Sequence, residues 1–270
     1  MNKFVSGALL LILLIFLALG APLVSPADPL AINMAERLQS VSMDHPMGTD
    51  QLGRDLFSRI LYAARTSLSM TGIVMLLCVL IGMTVGCIAG FFGGTTDDLL
   101  MRLVDLLMSF PSFIITIAIT GLLGSSVFNV ILALSLTTWT GYARIIRGSV
   151  LIVKEELYVE AAMVMGRRRR HIIKDHIIPN AISPLLVYAA IHSGHTILAV
   201  TGLSFMGLGA QPPTPEWGGM LNEASSFMGS QPNLFVFPGL AIMLTVLAFN
   251  LLGEGLRDLL DPNLREMMKI

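Results

Sequence analysis

Long apolar runs separated by short polar segments dominate this chain. Six runs are long enough to cross the hydrocarbon core of a bilayer, which is about 30 Å thick and requires about 20 mostly apolar residues per helix. They cover residues 4–24, 68–92, 99–123, 127–153, 181–203 and 234–256. Because the runs are continuously apolar rather than alternating, they favour helices over barrel strands. We predict an all-α, polytopic membrane protein with six transmembrane helices.

The first run also fits a secretory signal peptide, because Lys3 precedes an apolar stretch followed by small residues. It is long for such a signal, however, and Pro22 and Pro26 stand where a helix would leave the membrane. We expect a retained first helix and keep a cleaved signal as the alternative.

Composition agrees with a membrane protein. Apolar residues make up 54% of the 270 residues and charged residues 13%, whereas soluble domains carry about 25% charged residues. The net charge of −1 argues against a nucleic-acid partner. Cys78 and Cys87 fall within one apolar run without metal-ligand spacing, so we expect them to pack as small apolar side chains.

The basic residues predict the orientation in the membrane. Lys and Arg cluster between the fourth and fifth runs, at Lys154, residues 167–170 and Lys174, while residues 181–255 contain neither. Because cytoplasmic loops are enriched in basic residues, we expect this loop and both termini to be cytoplasmic. Four arginines on the predicted outer side conflict with the rule, although two aspartates partly balance them: Arg37, Arg54, Arg59 and Arg65, with Asp50 and Asp55.

Several polar residues invite structural expectations. Arg102 and Asp105 are spaced to pair on one helix face, and Pro111 is expected to kink the third helix. Glu216 and Glu223 fall on the predicted outer side, where they could attract a cation or contact another protein.

The basic loop at residues 155–179 predicts two short helices folded across the membrane surface. Gly166 permits a sharply bent backbone between them, and Pro179 is expected to stop the second helix before the fifth span. Small Ala161 and Ala162 would let another protein approach closely. The alternative is a plain amphipathic helix whose basic residues contact lipid headgroups.

Specific motifs in this loop resemble the EAA loop of ABC importer permeases. They are Glu160-Ala161-Ala162, Gly166, and Ile178-Pro179. Residues 48–59, 65–68, 202–209, 211–218 and 250–262 resemble the C-type permeases of peptide and nickel importers, so the resemblance spans residues 48–262. It implies that five positions couple the chain to an ATPase: Glu160, Ala161, Ala162, Gly166 and Pro179.

The energy source must then lie elsewhere, because none of the four lysines follows a glycine as a P-loop requires: Lys3, Lys154, Lys174 and Lys269. The resemblance implies no cofactor on this chain, with ATP and Mg²⁺ bound by two partner ATPase subunits. It also implies a second homologous permease, an extracellular or periplasmic solute-binding protein, and a bacterial inner cell membrane. The expected organisation is a first helix with an external segment at 1–66, a permease core at 67–262, and a cytoplasmic tail at 263–270.

The cargo prediction depends on two histidines in the fifth run. His192 and His195 are spaced to share a helix face, and imidazole is a ligand for nickel, copper and zinc. Gly194-His195 and Glu216-Trp217-Gly218 also resemble the nickel permease. We predict a substrate pathway with transient metal contact at His192 and His195, carrying nickel or a nickel chelate. The alternatives are di- or oligopeptides or another metal chelate as cargo, and histidines that serve only helix packing.

Two other functional classes fit less well. An intramembrane enzyme would need a nucleophile with a base, or a His-Glu-x-x-His pair, and the sequence has no such pair. A channel or secondary transporter would not need the predicted docking loop, and no inverted repeat is evident.

Overall fold

The computed structural model describes residues 2–260 of the chain. Its helices, which we number in chain order, are α1 (Asn2–Leu19), α2 (Ala21–Val24), α3 (Leu56–Phe92), α4 (Gly94–Met108), α5 (Ser112–Leu123), α6 (Val127–Lys154), α7 (Leu157–Val164), α8 (Arg169–Ile172), α9 (Ile178–Phe205), α10 (Trp217–Ala224) and α11 (Asn233–Leu260). Short 3₁₀ turns lie at Met34–Glu36 and Ser225–Phe227, and a π-helical turn lies at Ile173–Ile177. The predicted tail at 263–270, and residues 261–262 of the last motif, lie outside the described residues.

The all-α architecture is confirmed for the described part of the chain. Three of its helices are long and apolar enough to cross a membrane: α3, the continuous helix Arg169–Phe205 that contains α9, and α11. The bent pair α4 and α5 qualifies as a fourth if it is counted as one span, and α1 is a shorter apolar helix. A polytopic membrane protein is therefore supported, whereas the number six stays a prediction.

The third apolar run departs from its predicted form, because it folds as two helices that meet at 82°. Pro111 lies just before α5 in an extended conformation, with φ −60° and ψ 110°. Proline lacks the amide proton that a helix needs and disfavours helical backbone in the preceding residue, so the helix breaks instead of kinking. The predicted pairing of Arg102 with Asp105 is also wrong. Asp105 instead forms an ion pair with Arg144 of α6, at a distance of 2.6 Å.

A row of glycines lets α3 and α6 pack closely. Gly82, Gly86 and Gly90 recur every four residues and therefore share one face of α3. A Cβ atom built on Gly86 would lie 2.5 Å from the carbonyl oxygen of Ala143, well inside van der Waals contact. Small residues at this four-residue spacing let helix backbones approach closely in membranes. The pattern of apolar residues does not distinguish these glycines, because they lie inside one continuous apolar run.

The end of the bundle opposite the 155–179 loop is held by buried ion pairs. Arg54 contacts Asp50 at 2.6 Å and Glu223 at 2.8 Å, and Arg59 contacts the same two carboxylates at 3.2 and 3.1 Å. Both arginines are at most 3% exposed. They are therefore neutralised within the fold, which explains how they can occupy the predicted outer side despite the basic-residue rule.

Glu216 is also structural, because it caps α10 and ties that helix to α3. One carboxylate oxygen accepts from the Ser67 hydroxyl at 2.8 Å, and the other accepts from the Gly219 amide at 2.9 Å. The residue is 1% exposed, and burial raises the pKa of its carboxyl group. Glu216 is therefore not a free carboxylate at an outer mouth, and Glu223 is engaged by the two arginines.

Candidate functional site

The loop at residues 155–179 has a well-defined turn at its centre. Gly166 adopts the left-handed conformation with φ +71°, as the sequence predicts. The Arg167 amide donates to the Ala162 carbonyl at 3.2 Å, and the Gly166 amide donates to the Met163 carbonyl at 3.0 Å. These two bonds form a Schellman motif, which ends α7 and reverses the chain.

The prediction that Pro179 stops the second helix of the loop is wrong. The helix does not stop there, because α8, the π-helical turn and α9 form one continuous helix from Arg169 to Phe205. Pro179 lies in the first turn of α9, directly after the π-helical turn. Proline is tolerated at the start of a helix, and the wider π turn relaxes the hydrogen-bond pattern around the missing amide proton.

The loop is anchored by buried apolar residues on its inner side. Four side chains are at most 2% exposed: Val159, Ala162, Ile172 and Ile177. Arg167 donates to Asp175 at 2.6 Å and to Nε2 of His176 at 2.9 Å, which closes the hairpin. The two halves of the loop are therefore held together as a rigid unit.

The opposite side of α7 is apolar and exposed. Leu157 is 81% exposed, Val164 88% and Met165 77%, and Glu160 and Ala161 also face outward. Of the two predicted alanines, only Ala161 is available to a partner, because Ala162 packs inside the loop. An exposed apolar patch next to charged residues is typical of a protein-interaction surface.

A second candidate site is a cavity of about 340 Å³ between α5, α6 and α9. Both predicted histidines line it, and their ring centroids are 5.6 Å apart, so they do share one side of α9. Most of its remaining polar lining consists of hydroxyl groups that the sequence did not single out; the polar set is Ser112, Thr116, Thr138, His192, His195 and Thr196. Threonines in an apolar run look like packing residues until the fold brings three helices together.

His192 is held in place by aromatic rings. The ring centroids of Tyr142 and Tyr188 lie 5.8 and 5.1 Å from that of His192. Its Nδ1 atom is buried and has no hydrogen-bond partner among the described residues. This combination leaves one imidazole nitrogen of His192 without a protein partner.

The described residues hold no cluster of three or more His, Cys, Asp or Glu side chains that could bind a metal ion. Two imidazoles alone make an incomplete ligand set, since transition metals in proteins typically take four or more ligands. Three of the lining hydroxyls, those of Thr116, Thr138 and Thr196, donate to backbone carbonyls of their own helices.

Solved structures share the fold of this chain. The inward-facing methionine ABC transporter MetNI aligns over 75% of this chain and 97% of its own, with a TM-score of 0.62 and 15% identity. An amino acid ABC transporter crystallised with histidines aligns over 74% and 94%, with a TM-score of 0.58 and 16% identity.

Sequence relatives match almost the whole chain. The glutathione transport system permease protein GsiD of Pectobacterium atrosepticum is 43% identical over 97% of this chain and 87% of its own length. The dipeptide permease DppC of Alkalihalophilus pseudofirmus is 40% identical over 96% and 85%, and the probable D,D-dipeptide permease DdpC of Escherichia coli is 40% identical over 96% and 87%.

The family model described as the binding-protein-dependent transport system inner membrane component matches residues 82–266, which is more than half of the chain. The chain therefore belongs to this family and is a membrane-embedded permease subunit of an ABC importer rather than an enzyme.

Proposed function

We propose that this chain is one permease subunit of an ATP-driven importer for small peptides. The observation that carries the proposal is the rigid, outward-facing α7 in a chain whose relatives are named for glutathione and dipeptide transport. These names, together with the lack of a three-donor metal cluster among the described residues, favour the peptide alternative over the nickel prediction.

In this proposal the chain crosses the bacterial inner membrane six times, through α1, the bent pair α4 and α5, and the helices α3, α6, α9 and α11. The 155–179 loop and both termini face the cytoplasm. Residues 1–66 form a first helix with an external segment, and residues 67–262 form the permease core.

The proposed assembly contains a second homologous permease, two ATPase subunits and an external solute-binding protein. Glu160, Ala161 and the apolar face of α7 would dock on one ATPase. Ala162, Gly166 and Pro179 would act by shaping the loop, since Ala162 is buried, Gly166 makes its turn and Pro179 begins α9.

One helix would transmit movement of the docked loop to the peptide pathway. Ile172, which anchors the loop, and His192, which lines the cavity, lie on the same continuous helix from Arg169 to Phe205. They are separated by about 30 Å at 1.5 Å per residue. Because the two sites share this continuous helix, a shift at the ATPase would change the cavity and support alternating access.

The cavity suits a peptide because its imidazoles can donate or accept hydrogen bonds. Its three threonine hydroxyls donate to backbone carbonyls of their own helices and can still accept hydrogen bonds. A peptide backbone offers the same amide and carbonyl groups whatever its side chains. The absence of charged groups from this lining would keep binding weak enough for release. His192 and His195 are therefore proposed as pathway residues for peptide, with a transient metal contact as the second candidate.

The coupling role is tested with Glu160→Lys and Gly166→Pro in the assembled complex, reconstituted with its binding protein. Glu155→Lys is the matched control, because Glu155 is exposed and lies just before α7. We expect both loop variants to lose ATP-driven uptake of a labelled dipeptide while staying in the membrane, and the control to transport normally. Normal uptake in both loop variants would contradict the coupling assignment.

The cargo pathway is tested with the double variant His192→Ala/His195→Ala, by measuring uptake of a labelled dipeptide and of radioactive nickel. We expect ATP-dependent peptide uptake in the parent and reduced uptake in the assembled double variant. Nickel uptake that disappears in the double variant would instead support the metal pathway. Peptide uptake that is unchanged by both substitutions would show that the histidines serve only helix packing.

A further inference from the structure

An apolar groove of about 440 Å³ runs between α1 and α3, away from the sites described above. Its walls are mainly aliphatic and aromatic side chains, among them Leu11, Ile15, Leu19, Leu68, Met75 and Phe249. Arg65 also lines the groove. The groove therefore combines a long apolar wall with one positive charge.

Arg65 differs from Arg54 and Arg59, which lie at the same end of the bundle. Arg54 and Arg59 are buried and paired with carboxylates, whereas Arg65 is exposed and has no carboxylate partner among the described residues. Its guanidinium carbon lies 5.8 Å from the ring centroid of Tyr62. The guanidinium is thus open to an anion from outside the chain, and guanidinium groups bind phosphate with good geometry.

The dimensions of the groove match one leaflet of a bilayer. From Arg65 to Met75 the groove follows ten residues of α3, or about 15 Å at 1.5 Å per residue. The hydrocarbon core of a bilayer is about 30 Å thick, so half of it is about 15 Å. Tyr62 lies one turn before Arg65, and tyrosine is enriched at membrane interfaces. These features would place Arg65 at headgroup level, with the groove extending from there toward the membrane interior.

The groove opens on a different face from the peptide cavity. Ser193 of α9 lines the groove and His192 lines the cavity, and adjacent helical residues are rotated by about 100°. On α1, which forms one wall, Leu9, Ile12 and Phe16 are 63%, 62% and 67% exposed. The exposed apolar face of α1 at these positions is suited to contact with lipid.

We propose that this groove binds an anionic phospholipid from the leaflet opposite the 155–179 loop. The phosphate pairs with Arg65, and one acyl chain lies between α1 and α3. The lipid fills the space between the first helix and the permease core, and it stabilises the position of α1.

The test uses the complete, delipidated complex in detergent, titrated with phosphatidylglycerol or with phosphatidylcholine of the same acyl chains. Native mass spectrometry counts the lipids bound to each complex. Arg65→Gln removes the charge from an exposed position. Gly72→Trp places a large side chain in the groove, because Gly72 lines it and an added Cβ atom there would meet no atom within 4 Å. Gly239→Trp is the matched control on α11, where an added Cβ atom also meets no atom within 4 Å.

We expect the parent to bind phosphatidylglycerol in preference to phosphatidylcholine. Arg65→Gln should weaken phosphatidylglycerol binding about fivefold, as expected for loss of one basic residue at a membrane surface. Gly72→Trp should remove one bound lipid per copy of this chain, and Gly239→Trp should remove none.

Equal binding of the two lipids by the parent would overturn the proposal, as would unchanged binding in Arg65→Gln. Gly72→Cys provides a further check, by cross-linking in the assembled complex. Cross-linking of that cysteine to another subunit would show that protein covers the groove, and would also overturn the proposal.

Discussion

A single methyl group at Gly86 provides a sharp prediction about the packing of the bundle. Its Cβ would lie 2.5 Å from the carbonyl oxygen of Ala143 and 2.8 Å from Cγ2 of Ile146. Ordinary contacts of this kind are 3.4–4 Å long. Because the Ala143 oxygen belongs to the backbone, α3 and α6 must separate by about 1 Å, a disturbance in the range of core overpacking.

The magnitude follows from comparison with Gly72, which lies on the same helix. Gly→Ala raises helix propensity by about 1 kcal/mol at either position, but at Gly72 the added methyl group meets no atom within 4 Å. The difference between the variants therefore isolates the overpacking cost, about 1–3 kcal/mol. At about 2–4 °C per kcal/mol, it corresponds to roughly 2–12 °C in Tm.

The assay is thermal unfolding of the purified complex for the parent, Gly72→Ala and Gly86→Ala. We expect Gly72→Ala to match or exceed the parent, and Gly86→Ala to unfold at a clearly lower temperature than Gly72→Ala. Equal Tm values for the two variants would refute the close approach of α3 and α6.

Three further predictions concern the loops. Glu223→Gln should lower the yield of assembled complex by size-exclusion chromatography, because removing one charge from a buried ion network costs about 3–5 kcal/mol, whereas Asp28→Asn at an exposed position should not. The hydrogen bond to Asp55 raises the pKa of His45 above its ordinary 6.5. The stabilisation from protonated His45 is therefore complete below pH 6.5 and is lost as the pH rises through the raised pKa. The Tm of the parent, relative to that of His45→Gln, should fall as the pH rises above 6.5, and a constant difference would contradict this. Gly166→Ala should cost about 1–2 kcal/mol of left-handed strain and speed proteolysis of the 155–179 loop, with Gly148→Ala, which has open space and no positive φ, as the unaffected control.

Local chemistry predicted the secondary structure well where one residue type decides the backbone. The apolar runs gave the helical class, and the left-handed turn at Gly166 followed from the conformational freedom of glycine. The two prolines were harder, because the effect of a proline depends on its neighbours. Pro111 breaks a helix that was expected to bend, and Pro179 lies within a continuous helix where a stop was expected.

Contacts between distant segments could not be predicted from spacing alone. Arg54 and Arg59 seemed to violate the basic-residue rule until Glu223, more than 160 positions away, proved to be a shared partner. The histidines were found from their spacing on one helix, but the hydroxyl groups of Thr116 and Thr138 come from two other helices. A pattern along one helix cannot show which residues face it from its neighbours.

The proposed function requires that this chain imports peptide only as part of an ATP-driven assembly. The most direct measurement is uptake of a labelled dipeptide into proteoliposomes that hold the complete complex with its binding protein, with ATP present or absent. Radioactive nickel and vesicles that hold this chain alone are measured beside it. We expect dipeptide entry that requires ATP and the whole complex. Dipeptide entry through the chain alone without ATP, or ATP-driven entry of nickel but not of dipeptide, would contradict it.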